Sequence, residues 1–352
     1  MAGGATAGAD QDIICDSLIA NATMTNSISF ARGQCKHGAA RTAFRLSVLA
    51  LAWAGAGALA ASAYAADVPS APPKSEINAS VGTGAKFVPP PESAIPNDEF
   101  GKMVKLGRDI MLDTPKYAKA YVGNTLSCVQ CHTDAGRMAG SAPLWAAYVS
   151  YPAYRSKNKK VNTYEERLQG CFMYSQNGKA PPLGSRTLIA LQSYSYWMAK
   201  GLPVDEKVAG RGYPNLPDPV QAPDYVRGQK VYEAKCIVCH TANGEGQYVN
   251  GETVFPPLWG AKSFNWGAGM GSYKNAAKFI YANMPYGMSY SLTPQEAWDV
   301  AYFMDAHERP QDPRWQGTVA ATRAKFHDSK FSLYGTEVNG KLLGAIGAPK
   351  AR

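Results

Sequence analysis

Two short motifs in this chain combine the residue types and the spacing that covalent haem attachment needs. The first reads Cys-Val-Gln-Cys-His at 128–132, and the second reads Cys-Ile-Val-Cys-His at 236–240. In each, two thiols one turn apart can bond to the vinyl groups of one porphyrin, and the adjoining histidine can bind the iron. A redox dithiol does not require that histidine, and no second cysteine pair lies near enough in sequence to complete a zinc site. The sequence therefore predicts two c-type haems, held by Cys128, Cys131, His132, Cys236, Cys239 and His240.

The amino-terminal region has the pattern of a secretory signal. Four basic residues between Arg32 and Arg45 precede an apolar run at 46–61, and Ala-Tyr-Ala at 63–65 fits a small-x-small cleavage site. We expect residues 1–65 to be removed and Met24 to be the true start. The apolar run is too short for a clear membrane span, so the mature chain is expected to be periplasmic and not membrane-spanning.

One cysteine of the mature chain is not accounted for by the haem motifs. The chain has seven cysteines, of which two, Cys15 and Cys35, lie in the predicted signal region and four belong to the haem motifs. Cys171 is left without a partner. An unpaired thiol in an oxidising compartment calls for a functional explanation.

The charge balance favours anionic partners. The net charge is +9, and it becomes +8 without residues 1–65, which carry four Lys/Arg and three Asp/Glu. Such a surface suits small anions or acidic proteins. Nucleic-acid binding is not expected, because the sequence has no dense Lys/Arg block and a periplasmic haem protein rarely meets nucleic acid.

Proline-rich stretches divide the mature chain into parts. Residues 66–97 are predicted to form a proline-rich arm, and residues 206–223 a linker between two domains. The first cytochrome c domain is predicted at 98–205 and the second at 224–310. A basic tail at 311–352 is left open between wrapping the domains and staying mobile.

The two halves share an order of features that indicates an internal repeat. Each has a helical segment before its haem motif, a Pro-Leu-Trp sequence after it, and an aromatic-rich helix at its end. The second of these last helices is expected to start at a capping box of Thr293, Pro294 and Glu296. The predicted buried stripes are Leu188, Leu191, Tyr194, Trp197 and Met198 in one half, and Ala297, Val300, Ala301 and Met304 in the other. Strand signals are weak, so the predicted fold is all-α, with two tandem cytochrome c-type haem domains joined by a proline-rich linker.

The repeat also suggests the second iron ligand of each haem. Counted from Trp145 and Trp259, Cys171 and Met284 occupy matching places, each shortly before the last helix of its half. In a cytochrome c domain the loop at this place delivers the distal ligand, and a thiolate lowers the haem potential whereas a methionine raises it. A buried core role is the alternative for both residues. Competing ligands are Met288 for the second haem, and Met138 and Met173 for the first. The other histidines of the mature chain are expected at the surface or at helix ends; they are His307 and His327.

Longer stretches of sequence carry a resemblance to a known family. They are residues 126–132, 141–157, 166–175 and 177–182. In these the chain resembles the periplasmic dihaem thiosulfate dehydrogenases. The resemblance implies oxidation of two thiosulfate ions to tetrathionate, with electrons passed through both haems to an external cytochrome. It also implies that His132 and Cys171 ligate the first haem. Some relatives have a lysine just before the distal methionine, where this chain has Asn283, which favours Met284 and puts a ligand exchange in doubt.

The substrate that this resemblance implies sets an electrostatic requirement. Two dianions about 4 Å apart repel each other by about 4 kcal/mol even in water, so the site needs cations. Arg155 and Arg167 are the preferred candidates, ahead of Lys157 and Lys179. Further hydrogen bonds could come from Tyr151, Gln169 and Ser175. Cys171 is expected to hold one sulfur unit covalently, in the manner of nucleophilic catalysis.

Two other functions fit the haem motifs less well than the dehydrogenase. A dihaem electron carrier would have the same repeat and haems, but it would gain nothing from a reactive thiol among cations. A dihaem peroxidase would need an open distal position, which Cys171 would block. The direction of the reaction, including tetrathionate reduction, stays open, as do the electron acceptor and the oligomeric state.

Overall fold

The structure, a computed structural model, describes residues 87–204 and 208–346. The predicted signal region, its start at Met24 and residues 66–86 of the predicted arm lie outside the described residues. Among the described residues, no helix is both long and apolar enough to cross a membrane. We call residues 87–204 the first lobe, 208–310 the second lobe, and 311–346 the C-terminal segment.

The first lobe consists mainly of helices, with one small hairpin. Its elements are α1 (Glu99–Leu112), α2 (Thr114–Tyr117), α3 (Thr133–Gly136), α4 (Leu144–Val149), β1 (Ala153–Arg155), β2 (Lys160–Asn162), α5 (Tyr164–Gly170) and α6 (Arg186–Met198). A π-helical turn, Cys171–Ser175, continues α5.

The second lobe and the C-terminal segment follow a similar pattern. Their elements are α7 (Tyr225–Lys235), α8 (Ile237–His240), β3 (Gln247–Val249), β4 (Glu252–Phe255), α9 (Tyr273–Asn283), α10 (Pro294–Asp305), α11 (Val319–Phe326), β5 (Glu337–Val338) and β6 (Lys341–Leu342). The predicted capping box is confirmed: Thr293 accepts from the amide of Glu296, and the Glu296 carboxylate accepts from the amide of Thr293.

Each lobe crosses its first long helix over its last one at a glycine. A β carbon at Gly107 of α1 would lie 2.1 Å from the carbonyl oxygen of Ala190 on α6. A β carbon at Gly228 of α7 would lie at the same 2.1 Å from the carbonyl oxygen of Asp299 on α10. Only glycine allows such close approach of two backbones, so both lobes pack their first and last long helices in the same way.

The cores match the predicted helix faces. The predicted stripes on α6 and α10 are all buried, and each belongs to the hydrophobic cluster of its own lobe. Trp145 and Trp259, the tryptophans of the repeated Pro-Leu-Trp sequences, are buried there too. The predicted helical fold is confirmed.

Three two-stranded antiparallel hairpins accompany the helices in the described residues. Two of them turn at Asn-Gly pairs, 250–251 and 339–340, whose four residues all have positive φ. That backbone geometry is the type I′ turn that Asn-Gly favours, so the sequence did contain a hairpin signal at both places.

The C-terminal segment packs on the second lobe, which resolves the question left open for residues 311–346. Leu333, Tyr334, Val338 and Leu343 form a cluster with Trp266 of the second lobe. A second anchor is the carboxylate of Glu308 in the second lobe, which accepts a hydrogen bond from the amide of Gly344 at 2.8 Å. Within the segment, the buried carboxylate of Asp312 binds both Arg314 and His327. His327 follows the last residue of α11, as a helix-end residue should, but it is buried rather than on the surface.

Candidate active site

Both haem motifs line one continuous cavity between the lobes. Its walls include Cys128, Cys131 and His132 from the first lobe and Cys236, Cys239 and His240 from the second. Most of the remaining lining is apolar, with Met111, Leu144, Leu191, Phe264, Ile280 and Val300 among the residues that contribute. A large apolar cavity with two thiols and an imidazole at each end fits the shape and chemistry of porphyrin binding.

The two histidines are oriented in the same way. Nδ1 of His132 lies 2.7 Å from the carbonyl oxygen of Ala142, and Nδ1 of His240 lies 2.9 Å from that of Pro256. A carbonyl only accepts, so Nδ1 carries the proton and Nε2 keeps a free lone pair. Burial lowers the pKa of His132 to about 4, and the charge of Arg167 lowers it further. Both observations fit a neutral imidazole that can bind iron.

Cys171 lies at the junction of α5 and the π-helical turn. Helix α5 starts at a capping box formed by Thr163 and Glu166, which fixes its first turn. Arg167, one turn before Cys171, donates from Nη1 to the Cys171 sulfur at 2.9 Å. The negative charge of the Cys171 thiolate raises the pKa of Arg167. The guanidinium thus places a charged hydrogen-bond donor directly on the sulfur that is predicted to bind metal and to attack an electrophile.

Further cations surround this sulfur. A β carbon at Gly170 would lie 3.9 Å from Nη1 of Arg155, so Arg155 reaches the residue next to Cys171. Burial lowers the pKa of Arg155, and the charge of Arg167 lowers it further. Lys157 lies close by, with Nζ 4.3 Å from the ring centroid of Tyr174. Of the predicted anion-binding cations, Arg167 contacts the Cys171 sulfur, Arg155 reaches the neighbouring Gly170, and Lys157 lies against the ring of Tyr174.

The other polar candidates are placed less centrally. Lys179 is exposed. The side-chain amide of Gln169 donates to the carbonyl oxygen of Pro181 at 2.8 Å, so that donor is already used. Tyr151 packs against Tyr164, with ring centroids 5.9 Å apart. Ser175 lines the cavity together with Cys171.

The structure adds residues that the sequence analysis did not select. Arg314 of the C-terminal segment lies 5.0 Å from the ring centroid of Tyr174, on the same aromatic ring as Lys157. Gln176 lines the cavity and is buried, and its Oε1 has no hydrogen-bond partner among the described residues. No local sequence pattern links Arg314 to position 174, because only the folded chain brings them together.

The second lobe presents a methionine to the cavity. Met284 follows α9 directly and lines the cavity, whereas Met288 is 61% exposed. Met270 lines the cavity as well, although its sulfur accepts a hydrogen bond from the Tyr213 hydroxyl at 3.8 Å. In the first lobe Met138 is exposed, and neither Met138 nor Met173 is among the lining residues.

Comparison with known proteins supports this geometry. A cytochrome c family model matches residues 225–308, and the SoxA/TsdA cytochrome c domain model matches residues 115–204. A thiosulfate dehydrogenase of Thiomonas intermedia (strain K12) is 90% identical over 295 residues, which make up 84% of this chain and 94% of the relative. This chain belongs to the thiosulfate dehydrogenase family.

More distant members agree with this placement. The thiosulfate dehydrogenase of Stutzerimonas stutzeri (strain A1501) is 49% identical over 276 residues, covering 77% of this chain and 90% of the relative. Among solved structures, the as-isolated form of thiosulfate dehydrogenase (TsdBA) from Marichromatium purpuratum matches with a TM-score of 0.72 and 49% identity. That match covers 74% of this chain and 58% of the Marichromatium chain.

The comparisons confirm the family resemblance and the fold. Two cytochrome c domains are present, and they imply covalently bound haem c. The domain boundaries and the roles of individual site residues are not tested by these matches, so they stay predictions.

Proposed function

We propose that this chain is a periplasmic thiosulfate dehydrogenase that joins two thiosulfate ions into tetrathionate and passes two electrons to an external cytochrome. The observation that carries the proposal is the Cys171 sulfur, which lies on the haem cavity and accepts a hydrogen bond from Arg167 at 2.9 Å. A protein that only carries electrons has no use for a thiol placed beside a guanidinium on its haem cavity.

Two haems fit the cavity residues. The first would be attached to Cys128 and Cys131, with His132 and Cys171 as iron ligands. The second would be attached to Cys236 and Cys239, with His240 and Met284 as iron ligands. When bound, the haems supply the one chemistry that no side chain here provides, namely the acceptance and relay of single electrons.

Arg155 and Arg167 make it possible for dianions to approach each other. The mutual repulsion of two thiosulfates, about 4 kcal/mol in water at about 4 Å, must be offset within the site. Two guanidiniums can each bind an oxyanion through paired N–H groups, which holds the anion in a defined orientation as well as neutralising it. Both lie beside Cys171, so the anion that they bind is presented to the sulfur.

Cys171 divides the reaction into two encounters. In the first, the thiolate sulfur and the outer sulfur of one thiosulfate form an S–S bond and give up two electrons to the electron acceptor, which leaves a Cys–S–S–SO3⁻ group. In the second, the outer sulfur of another thiosulfate attacks the adduct sulfur that bears the sulfonate. The S–S bond between Cys171 and that adduct sulfur breaks, tetrathionate leaves, and Cys171 returns as a thiolate.

This order avoids placing two free dianions together. The adduct carries one negative charge instead of two, so the second thiosulfate meets about half the repulsion. Cys171 would serve as an iron ligand when the first haem is bound, and the same sulfur would form the bond to thiosulfate. The same steps run in reverse reduce tetrathionate, and the haem potentials set the direction.

The compartment and the partners follow from the sequence. The predicted signal at 1–65 and the two attachment motifs favour the periplasm. The net charge of +8 that remains without this region suits both the anionic substrate and an acidic redox partner.

A simple assay tests the proposal. Purified, haem-loaded protein is mixed with ferricyanide as electron acceptor, with and without thiosulfate. We expect ferricyanide to bleach only when thiosulfate is present, with tetrathionate formed at one molecule per two thiosulfates. Absence of thiosulfate-dependent bleaching from protein with both haems attached would leave only an electron carrier.

A further inference from the structure

Lys157 is a half-buried cation whose charge is not paired. It lies in the turn between β1 and β2, and its Nζ donates a hydrogen bond to the carbonyl oxygen of Gly267 in the second lobe. Nζ also lies 4.3 Å from the ring centroid of Tyr174. Among the described residues, no carboxylate lies within ion-pair distance of Nζ, so the fold leaves this ammonium without a counter-ion.

The C-terminal segment fixes a second cation behind Lys157. Nη1 of Arg314 donates to the Lys157 carbonyl oxygen at 3.4 Å, and the Arg314 guanidinium lies 5.0 Å from the Tyr174 ring centroid. Arg314 itself is held by Asp312, which it contacts from Nε at 2.9 Å and from Nη2 at 2.5 Å. Asp312 is fully buried and also binds Nε2 of His327 at 2.9 Å, so it cannot turn toward Lys157 without losing both partners.

The surroundings of Nζ favour its neutral form when no anion is bound. Burial lowers the pKa of Lys157 to about 7, and neighbouring cations lower it further, with Asp312 acting in the opposite direction. The charged or titratable groups around it come from β1, α5, the π-helical turn and the C-terminal segment; they are Arg155, Arg167, Tyr174, Arg314, Asp312 and His327. The second lobe contributes the carbonyl oxygen of Gly267. A dianion placed among these cations would reverse the balance and draw a proton onto Lys157.

We propose that Lys157 is a further substrate-binding cation, left without a carboxylate so that bound thiosulfate supplies its counter-charge, and that Arg314 is a positioning residue that controls it. The inference rests on the proposed thiosulfate oxidation. It extends that function by bringing the C-terminal segment into substrate recognition. The site should prefer dianions to monoanions, because a dianion has enough negative charge to bind Lys157 in addition to Arg155 and Arg167.

The test measures KM and kcat for thiosulfate, with ferricyanide as acceptor, from about pH 6 to about pH 9. In the natural protein, KM should be flat below about pH 7 and should rise above it, because deprotonated Lys157 no longer attracts the anion. Lys157→Met should raise KM about tenfold at pH 6, with a smaller effect on kcat, and should remove the pH dependence. Lys157→Arg should keep KM low at high pH, because a guanidinium does not lose its proton in this range.

Arg314→Leu separates the positioning role from binding. Without this cation, and with His327 as the remaining partner of Asp312, Lys157 should hold its proton more tightly, so the rise of KM should move to higher pH. Lys116→Met, a change at an exposed lysine of the same lobe, serves as the control and should leave the profile unchanged. Lys157→Gln, which keeps a donor for Gly267, replaces Lys157→Met if the latter does not fold.

Two failures can be distinguished. If the natural protein shows no thiosulfate-dependent turnover, the proposed function is wrong. If it turns over but Lys157→Met and Lys157→Gln keep the natural KM and its pH profile, Lys157 is only a tether to Gly267 and the further inference is wrong. An unmoved profile in Arg314→Leu would overturn the part assigned to the C-terminal segment.

Discussion

The two haem-binding sites of this molecule have similar backbone geometry, and they differ in one side chain and its surroundings. Both histidines direct Nδ1 to a backbone carbonyl, and both lobes cross their helices at a glycine. The first site then offers the sulfur of Cys171 among cations, whereas the second offers the sulfur of Met284 on an apolar wall. A thioether binds iron but does not form adducts with thiosulfate, so the proposed function assigns the chemistry to the first lobe and electron transfer to the second.

Removing the Cys171 sulfur, which only the first site has, should have the largest effect on activity. Cys171→Ser should abolish thiosulfate-dependent ferricyanide reduction, because a serine hydroxyl cannot form the sulfur–sulfur adduct. Both haems should remain covalently attached, since their four cysteines are untouched, and this is checked by haem staining of a denaturing gel. Normal rates in this variant would remove the covalent role.

Removing the cation beside the sulfur should have the next largest effect. Arg167→Met deletes a charged hydrogen bond to Cys171 and one anion-binding guanidinium, so kcat/KM for thiosulfate should fall about a hundredfold. Arg186→Met, at an exposed position in the first turn of α6, is the matched control and should stay near the natural value. Equal losses in the two variants would mean that general surface charge, and not this contact, attracts the substrate.

The second site is examined by replacing its methionine. Met284→Leu should lower the potential of one haem by at least about 60 mV, equivalent to a tenfold shift in a one-electron equilibrium, because methionine ligation raises the potential. Adduct formation on Cys171 should survive, which would separate the two sites. Met288→Leu, at the exposed alternative ligand, should leave both haem potentials unchanged. If Met288→Leu lowered a potential and Met284→Leu did not, Met288 would be the ligand instead of Met284.

The glycine crossings that the two lobes share lead to a smaller expected effect, which should be the same in both lobes. Gly107→Ala and Gly228→Ala each place a β carbon 2.1 Å from a carbonyl oxygen of the crossing helix, so each should cost about 1–3 kcal/mol of unfolding free energy. Thermal unfolding measures this, with Gly269→Ala as control because nothing lies within 4 Å of its β-carbon position. Loss in only one lobe would show that the two crossings are not equivalent.

Sequence reasoning predicted the parts of the site that depend on local spacing. The haem motifs and the capping box at Thr293 are short patterns with direct chemical meaning. The repeat selected Cys171 and Met284 as distal ligands, and both line the cavity, because equivalent positions in two copies of a fold face equivalent space. Their role as ligands stays a prediction.

Long-range packing explains what sequence reasoning missed. The contact of Arg314 with Lys157 joins residues far apart in the chain, so no window of sequence contains both. The burial of His327 depends on Asp312 and on stacking against Tyr334, at a ring distance of 4.3 Å. The Asn-Gly hairpins are different, because their signal was local and could have been used.

One measurement addresses the central claim that Cys171 carries half of the product. Haem-loaded protein is incubated with tetrathionate, digested, and analysed by mass spectrometry of the peptide that contains Cys171. We predict a fraction of this peptide heavier by one –S–SO3 group, sensitive to reducing agent and absent from Cys171→Ser. An unmodified Cys171 peptide in protein that still interconverts thiosulfate and tetrathionate would contradict the covalent account.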